Sequence, residues 1–391
     1  MSENNSAMKK IRESRYFTLV LNAVLIIVSV LVLTLIAFLS SSAKLDAIAV
    51  NLRIVLPIIW FTLVLGRRYE RVSGLISFAA VFILCVIYSP IQKGTGYPIF
   101  LTLKTQLDIL FENADAGILA IGMTLVILAG GIDLSVGSVL GMVSTFFALL
   151  VIGYGTSPYI ALILSLFVGA CAGSVNGLLI SKFRLQPFAA TLAMMAAARG
   201  VAKWMTNQAK VQPGAQEWYA VQGESPSFFV SLTKSLPFVQ IKPVTIIFLS
   251  AIIIMWFTVR YTRYGRHLYA IGGNEEAARL SGINVIRDKF LAYVMCGMFA
   301  GLGGVCTATR LELGDPEAGG GYELDAIAAV VIGGTNLNGG RGGMMLTLIG
   351  ALMIGSINKT LSLNGIPEAW RLIAKGAIIV LAVLIQKQKR S

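Results

Sequence analysis

The stretch from Phe17 to Ser40 runs 24 residues without a charged side chain, and that alone narrows the folds open to the chain. A hydrocarbon core about 30 Å thick needs roughly 20 apolar residues at 1.5 Å each, so the block is long enough to cross a bilayer. In lipid the backbone N–H and C=O groups have no water to bind, and a helix satisfies them within the segment. Lys9, Lys10, Arg12 and Arg15 precede the block and Ser41-Ser42-Ala43 follows it, flanks that a secretory signal peptide shares. The apolar region of a signal peptide runs about 7–15 residues. This block is longer, and it reads as a retained signal-anchor helix.

The pattern recurs. Twelve apolar blocks lie near 17–40, 47–65, 72–91, 113–131, 134–152, 158–180, 187–206, 243–261, 289–309, 324–336, 344–363 and 368–386. They predict an all-α fold, a polytopic membrane bundle. Composition agrees, with 13% charged residues where soluble domains carry about 25%. The basic residues then set orientation. They crowd the N-terminus, Arg67, Arg68 and Arg71, Lys182 and Arg184, and Arg260, Arg263, Arg266, Arg279, Arg287 and Lys289. Lys387, Lys389 and Arg390 complete the set in the tail. An even number of crossings puts all five groups, and both termini, in the cytoplasm. The net charge of +13 is accounted for in this way, and no aromatic-studded basic domain is present to hold a nucleic acid.

Three stretches fit the pattern less simply. The block 324–336 is short and glycine-ended; either it crosses as a broken helix, or it is re-entrant and another span is miscounted. Leu101 to Ala116 carries Lys104, Asp108, Glu112 and Asp115 and reads as an amphipathic lead-in to the following span. Asn207 to Lys242, with Pro213, Pro226 and Pro237, is a long external loop, a lid, a docking surface or an ordinary connection.

A motif occurs twice. Residues 130–137 read GGIDLSVG and residues 333–340 read GGTNLNGG, identical at four of eight positions. Asp133 aligns with Asn336, and Ser135 with Asn338. Glycine-interrupted helices at matching places in two halves of a transporter point to its pathway. An Asp at a helix centre in lipid costs about 2.5–3.5 kcal/mol, so Asp133 requires a break, a partner or water. The glycines also serve close helix packing on their own. Glu323 and Asp325, near the outer mouth, either contact solute hydroxyls or cap the helix that follows. Asn176, Asn358 and Trp370 lie in apolar blocks, as interhelical contacts or as pathway residues. The candidate pathway set is therefore Asp133, Ser135, Asn176, Asn336, Asn338, Glu323 and Asp325.

The longest cytoplasmic segment, Arg260 to Lys289, holds a short helix signature. Asn274 caps it, Glu275 and Glu276 suit its first turn, Ala277 and Ala278 propagate it, and Ser281-Gly282 ends it. Such a helix does not persist alone in water; it packs on its own membrane domain or on a partner. The dipeptide Gly-Lys never occurs, so there is no P-loop, and ATP chemistry would need a separate subunit. No HExxH, serine elbow or paired His/Cys cluster points to a membrane enzyme. Cys85, Cys171, Cys296 and Cys306 lie in apolar blocks and read as small core residues. His267 is the single histidine, too few for a His-based metal site.

Four segments carry a resemblance: GGIDLSVGS (130–138), VNGLLISKFRLQPF (175–188), YGRHLYAIGGNEEAARLSGI (264–283) and YELDAIAAVVIGGTNLNGGRG (322–342). Together, over roughly Ile118 to Leu384, they resemble the permease subunits of bacterial ABC importers for ribose, galactose and xylose. The resemblance implies a non-enzymatic subunit of the bacterial inner membrane that passes a monosaccharide by alternating access. It implies a second permease copy, a periplasmic sugar-binding protein, and a cytoplasmic ABC ATPase that binds ATP and Mg, with no cofactor in this chain. Gly273, Asn274, Glu275, Glu276, Ala277, Ala278, Arg279, Leu280, Ser281, Gly282 and Ile283 would form the coupling helix docked on that ATPase. The chain then divides into a cytoplasmic N-terminus (1–16), N-terminal helices (17–112), a permease core (113–386) and a tail (387–391). Such permeases usually have ten helices, so 47–91 supplies an additional pair. The rival reading is an ion-coupled secondary transporter of a small polar solute, titrating an intramembrane group such as Asp133.

Overall fold

The computed structural model describes residues 73–92, 96–213, 231–235, 240–373 and 375–377. The blocks at 17–40 and 47–65, the Arg67–Arg71 turn, the middle of the external loop, the end of the block 368–386 and the tail lie outside the described residues. So most of the additional helix pair does too.

Within the described residues every apolar block from 113 to 363 is a helix. The elements are α1 (Ser73–Ile87), α2 (Leu103–Glu112), α3 (Ala114–Leu128), α4 (Val136–Ala148), α5 (Pro158–Ser181) and α6 (Pro187–Met205). They continue as α7 (Pro243–Tyr261), α8 (Arg263–Gly273), α9 (Glu275–Leu280), α10 (Val285–Leu311), α11 (Tyr322–Gly333) and α12 (Met344–Leu363). Three helices open on proline, at Pro158, Pro187 and Pro243. There the missing N–H costs nothing and the fixed φ suits the first turn. A π-helical turn, Leu149–Gly153, extends α4. Five helices among the described residues are long and apolar enough to cross a membrane: α4 with its π turn, α5, α7, α10 and α12. The pair α2 and α3, interrupted at Asn113, qualifies as a sixth when taken together. The charged lead-in ends at that interruption, and Asp115 belongs to α3, fully buried.

The chain forms two compact units. Among the described residues, one comprises those within 110–330 and 335–351, the other those within 73–109, 331–334 and 352–377. In the second unit Asn364 donates from Nδ2 to the carbonyls of Tyr88 (3.0 Å) and Thr360 (2.8 Å). Phe82 meets Phe100 edge-on at 5.2 Å, and the Phe100 amide donates to Ser89 Oγ.

The first unit is organised about α10, on which α3, α4 and α5 pack. Contact between α5 and α10 is glycine against glycine. A Cβ on Gly297 would fall on the carbonyl oxygen of Gly169, and one on Gly301 would lie 3.0 Å from that of Ser165. Small residues let two helix backbones approach where lipid supplies no hydrophobic drive for association. Cys296 and Cys306 are buried here, whereas Cys171 is exposed and is not the core residue its block suggested.

The short block 324–336 is explained by what precedes it. After α10 ends at Glu312 (φ 56°), Gly314 and Val211 exchange backbone hydrogen bonds of 2.8 Å each. The chain then runs beside α4 without forming a helix: Gly314 lies against Ala148, the Ala318 carbonyl against Gly141, and Gly319 against Gly137. Arg199 donates to the carbonyls of Pro316 and Ala318, while Lys203 pairs with Glu317 (2.5 Å) and Lys210 with Asp315 (2.9 Å). Twelve residues of α11 span about 18 Å, too little for a bilayer, and 312–321 supplies the remaining path. Such backbone is tolerable at depth because protein covers it. The short block is therefore the helical part of a longer, interrupted segment.

Candidate functional site: two helix breaks and a short exposed helix

Both copies of the repeated motif end a helix by the same hydrogen-bond pattern. At the end of α3 the Gly130 amide donates to the Ile127 carbonyl (2.9 Å) and the Gly131 amide to Val126 (2.9 Å). At the end of α11 the Gly334 amide donates to Val331 (3.0 Å) and the Thr335 amide to Val330 (3.1 Å). This is the Schellman closure, and its left-handed residue is glycine in both cases, Gly130 at φ 80° and Gly334 at φ 109°. Each break then makes an Asx turn. Asp133 Oδ1 accepts from the Ser135 amide (2.9 Å), and Asn336 Oδ1 from the Asn338 amide (3.0 Å). The gapless alignment of the motifs is correct for the Asx turns and one residue out for the caps, because α11 runs on to Gly333.

The copies run parallel. Asp115 near the start of α3 and Tyr322 at the start of α11 both reach Arg310. At the other end the Gly340 amide donates to the Leu128 carbonyl (3.1 Å), and a Cβ on Gly339 would lie 2.9 Å from the Gly130 nitrogen. Thr124 and Thr347 hydroxyls join α3 to α12 at 2.7 Å.

The candidate polar residues separate into three groups. Asp133, Ser135 and Asn176 come together and are fully buried. Ser135 Oγ donates to Asp133 Oδ1 (2.6 Å), and Asn176 Nδ2 lies 3.0 Å from Ser135 Oγ and 3.4 Å from Asp133. Asn176 Oδ1 is buried with no hydrogen-bond partner. Asn336 and Asn338 form a separate pair in the second break, half-buried and exposed respectively. Glu323 and Asp325 stand in the first turn of α11. Glu323 is held by its own amide and that of Gly321, and its carboxylate lies against Gly137 in the first turn of α4. It thus follows closely on the 312–321 stretch, beside the first turn of α4. Asn358 is half-buried and Trp370 exposed.

Two side-chain pairings carry no signal in the sequence. Arg310 meets Asp115 at 2.9 Å (Nε) and 2.8 Å (Nη2), linking α10 to α3. His267 Nδ1 lies 2.7 Å from Asp288 Oδ2, joining α8 to α10, and the neighbouring Arg287 Nε lies 3.1 Å from Oδ1 within α10. Partners so far apart in sequence meet only through the packing around α10.

Between α8 and α10 lies α9, six residues long. Asn274 Oδ1 accepts from the Ala277 amide (3.0 Å). The far end is a Schellman closure in which the Ile283 amide donates to Ala278 and the Gly282 amide (φ 83°) to Arg279. Ala278 packs with Ile271, Val285 and Ile283, and Glu275 pairs with Lys289 at 2.5 Å. Burial pushes the Glu275 carboxyl up, but Lys289 and then Arg279 outweigh it and hold the group below its ordinary value. Leu280 points away from this anchor, 81% exposed. Arg279 reaches back to Glu275 (3.1 Å) and Glu276 (3.8 Å).

Residues 106–383 match the family described as branched-chain amino acid transport system / permease component. The chain is similar to the ribose import permease protein of Escherichia coli K12, 41% identical over 325 residues, which is 83% of this chain and 98% of that protein. It is also similar to the ribose import permease protein of Bacillus subtilis 168, 41% identical over 80% of this chain and 92% of that one. The galactofuranose transporter permease protein of Escherichia coli K12 is 38% identical over 83% and 92%. No solved structure matches the chain.

Proposed function

The chain belongs to the branched-chain amino acid transport system / permease component family, and from that premise we propose that it passes a monosaccharide across the bacterial inner membrane as the permease subunit of an ABC importer. The family description spans amino acid systems; the names of relatives 38–41% identical over most of this chain, ribose and galactofuranose permeases, favour a sugar. Both termini face the cytoplasm in this reading, and α9 lies on that side with the basic residues around it. The partners are a second permease copy, a periplasmic sugar-binding protein and a cytoplasmic ATPase that binds ATP and Mg.

One observation carries the assignment of α9 as the coupling helix. Its apolar underside is spent on Ala278 and the cluster beneath it, yet Leu280 stands exposed on a helix too short to exist unsupported. An apolar side chain presented on a capped, ion-paired helix suits a pocket on a partner. Alternating access then proceeds by rocking of the two breaks as the ATPase closes. Of the candidate pathway residues, Asn336, Asn338, Glu323 and Asp325 keep some exposure, while Asp133, Ser135 and Asn176 are buried and brace the first break.

The test is reconstitution of the permease with its ATPase and binding protein in liposomes, with labelled ribose as probe. ATP should drive uptake. Leu280→Glu should weaken ATPase association at least about tenfold, the equivalent of losing one buried leucine. Uptake driven by a proton gradient without ATP would establish the ion-coupled reading instead. Unchanged assembly in Leu280→Glu would remove α9 from the interface.

A further inference from the structure

The two breaks meet a third element, α8, and the contact is backbone to backbone. A Cβ on Gly272 would fall on the carbonyl oxygen of Leu128, the last residue of α3, and on the amide nitrogen of Gly340 in the second break. A Cβ on Gly339 would lie 2.8 Å from the Gly272 α-carbon, and one on Gly340 would lie 2.7 Å from the Gly273 nitrogen. Gly272 is thus lodged between the ends of both broken segments, at the point where the Gly340 amide donates to the Leu128 carbonyl. One turn earlier on α8, the Tyr269 hydroxyl donates to the Gly342 carbonyl at 2.9 Å, taking hold of the second break again just before α12 begins.

The other end of α8 leads straight into α9. Asn274 closes α8, its amide donating to the Ala270 carbonyl (3.1 Å), and the same residue caps α9. No linker separates the two helices, so there is no slack to absorb a displacement of α9. The His267 pair with Asp288 braces the middle of α8 against α10, which leaves the Tyr269–Gly272 end to move with α9. Packed interfaces of this kind shift between discrete arrangements more readily than they deform.

Resting on the importer reading, we propose that α8 is the transmission element of the permease, and that Tyr269 is the positioning residue that ties the second break to it. Movement of α9 reaches the first break through the close approach at Gly272, and reaches the second through that approach together with the Tyr269–Gly342 hydrogen bond. Neither residue touches the solute. Their effect lies in the sugar moved per ATP hydrolysed, read only on complexes that assemble with the ATPase as wild type does, so that loss of fold is scored separately.

The experiment uses the full transporter in proteoliposomes, measuring labelled ribose uptake and phosphate release side by side. Tyr269→Phe removes one hydroxyl and one hydrogen bond, and should lower uptake per ATP about fivefold while hydrolysis stays within about twofold of wild type. Gly272→Ala should lower the ratio further; Gly200→Ala, on α6 with nothing within 4 Å of the added methyl, should leave it unchanged. If Gly272→Ala fails to assemble, Tyr269→Phe decides alone. A ratio equal to wild type in Tyr269→Phe, or uptake and hydrolysis falling in step, would overturn the assignment of α8 with the importer reading intact. Absence of ATP-driven uptake in the wild type would overturn both.

Discussion

Arg310→Met should be among the more damaging single substitutions in the membrane bundle. Arg310 places Nε and Nη2 at 2.9 and 2.8 Å from one carboxylate oxygen of Asp115, whose side chain is 1% exposed. Removing the guanidinium leaves a buried carboxyl group with no charged partner, and the cost of breaking such a pair is about 3–5 kcal/mol. Asp115→Leu should be milder. The Arg310 side chain is 20% exposed, keeps Tyr322 within reach, and can carry its charge outward along its aliphatic stem. The double variant Asp115→Leu/Arg310→Met removes both charges and should return to within about 1 kcal/mol of wild type, since apolar replacement of a buried pair is often neutral. The cycle is measured by titrating the purified chain in mixed micelles with sodium dodecyl sulfate and following tryptophan fluorescence. A loss below about 1 kcal/mol in Arg310→Met, or a double variant as unstable as the sum of the singles, would refute a desolvated pair binding α3 to α10.

Gly297→Ala should cost about 1–3 kcal/mol, because its methyl group has no room against the Gly169 carbonyl and the two helices must part; thermal unfolding in detergent reads this directly. Acid should release α9 from α10. The Glu275 carboxyl is held below 4.5 in the folded chain by Lys289 and Arg279, so its contribution is complete above that value and is lost as pH falls through the lower, folded-state one. A spin label at Leu280→Cys should gain mobility on that descent, and mobility independent of pH would show that Ala278 alone anchors the helix.

The span positions were legible because hydropathy is a local property. Blocks written at 158–180, 243–261 and 344–363 coincide with α5, α7 and α12 to within a residue or so, and prolines mark two of the three starts. The capping of α9 was legible for the same reason, since Asn274 and Gly282 act on neighbours in the chain. What the sequence hid depends on partners far away along it. Asp115 read as one more charge in a polar lead-in because Arg310, which justifies its burial, lies 195 positions on. The stretch 312–321 carried no signal of its own, and the glycines of α4 at 137 and 141 give it a surface to lie on. The one-residue offset between the two helix caps was invisible to an alignment scored on identity, since adjacent glycines satisfy either register.

That offset bears on how two copies of one motif came to differ in chemistry. Each has a glycine closure followed by an Asx turn, so the backbone problem of stopping a helix inside a membrane is solved identically twice. The side chains then diverge. In the first break the acceptor is Asp133, and it is buried, with Ser135 and Asn176 supplying its donors. A buried carboxyl group bound by such contacts resists displacement, because every donor pulled away leaves an unmet group costing about 1–3 kcal/mol. In the second break the acceptor is the neutral Asn336, and Asn338 beside it is exposed, so its donors can exchange one oxygen for another at little cost. Under the importer proposal, a solute that carries many hydroxyl groups and must be released as readily as it is held would suit the exchangeable amides of the second break. The first break provides a braced joint against which the second can move.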